Sequence, residues 1–146
     1  MEIRKMEERD RETVLSMMRV FYASPAVFTN GSEEIFSRDI DACVLENPYA
    51  EGFVFIEDGG VAGYAMLAKS FSTEFGCPTI WIEDLYFLEE YRGRGFGSAF
   101  FAFLEKSYSG VLLRLEVEEE NGVAVHTYRK NGFDILPYME MKKRLP

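Results

Sequence analysis

With 146 residues, 47% of them hydrophobic and 28% charged, the chain suits one globular domain spanning 1–146 and not a disordered segment. Its 25 acidic residues against 16 basic ones leave a net charge of −9, which repels nucleic acid and anionic membranes and attracts cationic partners. Two cysteines, Cys43 and Cys77, and one histidine, His126, make neither a disulfide framework nor a zinc site. No metal is expected, and without a secretion signal or a bilayer-length apolar run the expected location is the cytoplasm.

"MEIRKM" alternates like a short strand. Asp10 is placed to cap a helix over Arg11–Tyr22, whose Val14, Met17, Met18 and Phe21 share a face. "SPAVFTNGS" breaks it, and Asn30 with Glu33 reads as a capping box for a second helix bearing Ile35, Phe36, Ile40 and Cys43. "GFVFIEDGGVAGYAMLA" is two strands joined at Asp58-Gly59-Gly60, and "TIWIEDLYFL" is apolar enough for a central strand. A glycine-rich turn follows, then a helix with Phe96, Ala99, Phe100, Phe103 and Leu104 on one face. "GVLLRLEV" is another central strand. Asn121 caps a last helix that Asn131-Gly132 ends, and "FDIL" and "YMEMKK" close the chain as strands. The order β-α-α-β-β-β-α-β-α-β describes a mixed sheet with helices packed on it, an α/β or α+β arrangement.

The turn "EEYRGRGFGS" asks for an anion. The first amides of a helix lack internal partners and the helix dipole is positive there. Glycines let a phosphate approach the backbone, and Arg92 and Arg94 add charge beside it. The stretch lacks the Gly-Lys-Ser/Thr of a P-loop, and Ser98 stands where a dinucleotide fingerprint needs its third glycine.

Arg92-Gly93-Arg94-Gly95-Phe96-Gly97 matches the R/Q-x-x-G-x-G/A signature of the GNAT superfamily of acetyl-CoA-dependent N-acetyltransferases, and "NGVAVHTYRKNGF" resembles that family's N-x-x-A-x-x-x-Y-x-x-x-G-F element. The resemblance implies a GNAT-like mixed sheet of about six to seven strands, with helices on both faces and its two central parallel strands splayed. It implies acetyl-CoA as co-substrate, with its pyrophosphate held by Arg92, Gly93, Arg94, Gly95, Phe96, Gly97 and Ser98. The main chain of Leu85, Tyr86 and Phe87 would pair with the pantetheine arm. Asn121 would bond that arm or cap the helix beside it, and Tyr128 would sit near the thioester sulfur. It also implies a homodimer.

Acetyl transfer to an amine needs a base, an oxyanion donor and an acid for the leaving thiolate. A phenol is protonated at neutral pH, so Tyr128 is assigned as the acid. Glu83 is assigned as the base, with Asp84 and Glu116 behind it. Strand alternation keeps Glu83 and Asp84 from facing the same cleft, and a salt bridge from Glu83 to Arg114 is the structural alternative. The oxyanion donor is expected at a strand irregularity near Leu85–Phe87. "WIEDLYF" is similar to the matching strand of di- and polyamine acetyltransferases, so the acceptor is expected to be a small primary amine. Asp84, Glu116, Glu74 and Tyr22 are candidate acceptor contacts, while Phe28 is expected in the core. A protein N-terminus or lysine as acceptor, and a non-catalytic acyl-CoA-binding module, are the alternatives.

Overall fold

Asp58 and Gly59 set the middle of the sheet. In the computed structural model, which describes residues 1–146, both have positive φ, 52° and 79°, as a two-residue type I′ hairpin requires. They join β2 (Ala50–Glu57) to β3 (Gly60–Ser72), with Glu57 opposite Gly60. β1 (Glu2–Lys5) runs antiparallel along the outer edge of β2, and β4 (Cys77–Phe87) runs antiparallel to β3. β5 (Leu112–Leu115) closes the sheet parallel to β4, giving the order β1-β2-β3-β4-β5.

Four helices cover the two faces. α1 (Arg11–Tyr22) buries Val14, Met17 and Met18, and α2 (Glu33–Val44) buries Phe36 and Ile40. Both pack on the face that carries Val54, Tyr64, Met66 and Tyr86. α3 (Phe96–Ser107) buries Phe100, Phe101 and Leu104 against Phe53, Phe55, Leu67, Ile80 and Ile82 on the other face. Each of these side chains contributes about 1.5–3 kcal/mol on leaving water, so both layers hold the sheet firmly. α4 (Gly122–Lys130) has no fully buried residue and is held through Tyr128 and Phe133.

The structure corrects four local expectations. Asp10 stands at the start of α1 but gives that helix no side-chain cap. Its oxygens take two bonds from the Arg4 guanidinium, each 2.8 Å, and one from the Glu7 amide, because a charge-assisted fork outcompetes a single main-chain donor. Ser32, not Asn30, caps α2 by accepting from the Ile35 amide. Phe28 is 88% exposed, with the Lys142 ammonium over its ring. "FDIL" and "YMEMKK" form no strands, so the sheet has five strands and not six to seven. No main-chain hydrogen bond lies beyond the Phe133 amide. Pro137 removes a donor between the two segments, and Ile135, Met139 and Met141 stay exposed, so nothing drives this stretch into a ladder.

Candidate active site

The glycine turn leaves β4 through a short 3-10 turn, Glu89–Tyr91, and enters α3 at Phe96. Gly93 and Gly95 have φ of 71° and 80°, which side-chain-bearing residues rarely adopt. No amide from Gly93 to Ser98 bonds a carbonyl; the first that does is Ala99, to Gly95 at 3.0 Å. A Cβ at Gly93, Gly95 or Gly97 would meet nothing within 4 Å, so the space beside the turn is open. Both arginines are held at the rim. Arg92 donates through Nε to the Phe87 carbonyl at 2.9 Å and lies over the Tyr86 ring, while Arg94 pairs with Glu57 at 3.3 Å. The cradle's positive potential therefore comes from bare amides and the helix dipole, with two guanidinium groups beside it. Asn131 braces it, donating through Nδ2 to Ser98 Oγ at 2.9 Å and to the Thr127 carbonyl at 2.8 Å.

β4 and β5 pair only from Thr79–Leu112 to Ile82–Leu115. There the β3–β4 register slips: Leu67 faces Ile82 and Met66 faces Asp84, so Glu83 is a bulged residue with no partner. The bulge swaps the faces. Ile82 packs toward α3, while Asp84 bonds tyrosines on the α1–α2 side and Leu85 and Phe87 pack toward α3. Beyond it β4 pairs with β3 alone, so β4 and β5 part and one edge of β4 stays open. The irregularity expected near Leu85–Phe87 is thus at Glu83.

Beside the bulge the molecule is acidic. Asp84, 3% exposed, accepts from the Tyr22 hydroxyl at 2.9 Å on Oδ1 and from the Tyr64 hydroxyl at 2.9 Å on Oδ2. Burial outweighs those two bonds and, with Asp39 and Glu83 nearby, pushes its carboxyl up to about 6. Glu83 reaches the surface, yet the protein packed around its carboxyl raises its pKa, and Glu140 and Asp39 add to the effect. Glu116 is held up to about 7, first by the Glu140 carboxyl bonded beside it, and Asp39 is raised by burial on α2. Asp39, Glu83, Asp84, Glu116 and Glu140 take part in none of the molecule's ion pairs. Arg114 instead stacks on Trp81, 4.2 Å from the ring centroid.

Tyr128, on α4, packs edge-on against Phe101 and Phe133, and burial raises its phenol above the ordinary value. Asn121 caps α4, accepting from the Ala124 amide at 3.3 Å. A cleft of ≈ 570 Å³ lies between Ser24, Pro25 and Ala26 on one wall and Glu118, Glu120 and Asn121 on the other.

The structure thus gathers Tyr22, Glu83, Asp84 and Glu116 at the fork. Glu74 shares none of those contacts; it is exposed and accepts from the Tyr138 hydroxyl at 2.6 Å. Sequence reasoning missed Asp39, Tyr64 and Glu140. Asp39 did leave a signal: with Phe36, Ile40 and Cys43 it occupies the i, i+3, i+4, i+7 stripe that should be apolar. Glu140 left none, since its place depends on the path of the tail.

The acetyltransferase (GNAT) family model matches residues 15–133, and the chain belongs to that family. It is an acyl-CoA-dependent N-acetyltransferase. The fold is shared with a possible acetyltransferase from Clostridium difficile 630, at 19% identity and TM-score 0.82, over 99% of this chain and 97% of that one. It is shared too with the aminoglycoside N-acetyltransferase AAC(6')-Iy, solved with the bisubstrate analogue CoA-S-monomethyl-acetylneamine, at 17% identity and TM-score 0.78, over 99% and 98% of the two chains. A mutant of a Bacillus halodurans protein is 22% identical with TM-score 0.78, over the whole of both chains. No curated protein matches the sequence.

Proposed function

We propose that the chain moves an acetyl group from acetyl-CoA to a primary amine of a small, polycationic molecule of the polyamine kind, by direct transfer in a ternary complex. The observation that carries the acceptor class is the unpaired charge at the fork: five carboxylates gather there outside any ion pair, and Arg114 offsets Glu116 only in part. An ammonium about 4 Å from one of them gains about 4 kcal/mol at the effective dielectric of a protein surface, an advantage that a neutral amine lacks.

The residues divide the work as follows. The amides from Gly93 to Ser98 bind the pyrophosphate, and the open edge of β4 receives the pantetheine arm. Glu83 takes the proton of the attacking amine, directly or through one water; its raised pKa brings it nearer the working pH than an ordinary carboxylate. The nitrogen adds to the thioester carbonyl carbon, and a main-chain amide at the bulge stabilises the oxyanion. As the C–S bond breaks, Tyr128 gives its proton to the leaving thiolate.

Glu83→Gln tests the assignment. Its kcat is expected to fall about 100-fold, the usual loss for a general base, with the KM for acetyl-CoA unchanged and the acidic limb of the kcat profile flattened. Unchanged turnover would remove Glu83 from the mechanism.

A further inference from the structure

Asp84 presents a physical puzzle. A buried carboxylate is retained where a cation offsets its desolvation, and no cationic side chain pairs with Asp84. The titratable groups that face it are Tyr22 from α1, Asp39 and Cys43 from α2, Tyr64 from β3 and Glu83 from β4, none of them cationic. Its two oxygens are filled by two tyrosine hydroxyls from different elements, one each. Apolar side chains in place of all three groups would avoid the desolvation, so the carboxylate and its two hydroxyls are kept for what they do together.

We propose, resting on the acceptor reading above, that Asp84 is a positioning residue that makes the Tyr22 oxygen an obligate acceptor at the amine's entrance. A phenol can donate or accept. Once the Tyr22 proton is committed to Asp84 Oδ1, only its oxygen lone pairs remain, and the hydrogen bond to an anion makes them better acceptors. What Tyr22 then offers is a site for N–H groups. Tyr64, fully buried, occupies Oδ2 and keeps the carboxylate from rotating away. The position fits the role: Tyr22 is the last residue of α1, two before the Ser24–Ala26 wall of the cleft, and Asp84 directly follows the bulge. One hydrogen-bonded pair therefore ties α1, which leads into the Ser24–Ala26 wall, to the transfer strand.

The test is a double-mutant cycle of Tyr22→Phe and Asp84→Asn, read as the Kd of spermidine for the CoA-bound protein by titration calorimetry, with kcat and both KM values alongside. The side-chain amide introduced by Asp84→Asn can accept from only one hydroxyl and must donate to the other, so the pocket stays filled while the polarity is broken. Each single change is expected to weaken spermidine about tenfold, the cost of one hydrogen bond to a charged group. The double variant should be no weaker than either single one, with the KM for acetyl-CoA near wild type. Additive losses, or lowered thermal stability with unchanged spermidine affinity, would overturn the proposal. A wild-type protein that binds spermidine without turnover would fault the reaction assigned above and leave this cycle readable. One that binds no amine overturns both.

Discussion

A carboxylate whose folded pKa lies near 6 instead of 3.8 makes the protein's stability depend on pH in a defined direction. The folded state holds the Asp84 proton more tightly than the unfolded chain does. The stability present below about pH 4 is therefore lost as pH rises through about 6. Glu116, Glu83 and Asp39 are shifted the same way. Asp10, held below its ordinary value by Arg4 and the Glu7 amide despite burial, acts in the opposite sense and loses its contribution only in stronger acid. Denaturant melts should find the protein less stable at pH 7.5 than at pH 5 by about 1–3 kcal/mol, with much of the difference absent in Asp84→Asn. Equal or greater stability at pH 7.5 would contradict the burial of this charge. At this scale the sequence was partly legible. Glu83 and Asp84 stood out because carboxylates on a central strand are costly, and Tyr128 because of the motif around it. Which of the two carboxylates is buried was hidden, since strict alternation misleads wherever a bulge intervenes.

Among the elements, the turn into α3 depends most on residue type. Gly95 has φ of 80° and stands at the N-cap, where the helix has no side-chain cap. Valine there is forced into a left-handed conformation at about 1–2 kcal/mol, and its branched side chain occupies the open space beside the turn. Gly95→Val should raise the KM for acetyl-CoA at least about tenfold while the protein still folds; an unchanged KM would mean that the turn is not the phosphate cradle. The elements with local chemical signatures were readable: the Asp58-Gly59 hairpin, the Asn121 cap, the glycine turn and the apolar stripes of α1 and α3. The bulge was not, because it exists only in the register between β3 and β4. The tail was misread because its alternation suggests a strand. Tyr138 and Glu140 meet Glu74 and Glu116 at the surface, whereas Met139 and Met141 face solvent.

For the molecule as a whole, a net charge of −9 and a basic-rimmed cradle are two halves of one arrangement. On the proposed reading, the anionic co-substrate is met locally by amides and two arginines, a cationic acceptor is drawn by the field of the rest, and the two meet at the fork between β4 and β5. That meeting is tested most directly by thiol release from acetyl-CoA against spermidine, neutral amines, an aminoglycoside and a lysine peptide, for wild type and Tyr128→Phe. The account predicts the highest kcat/KM with spermidine, falling as salt screens the acidic mouth. It also predicts a turnover reduced in Tyr128→Phe while acetyl-CoA still binds. A neutral amine turned over as well as spermidine, with no dependence on salt, would contradict it.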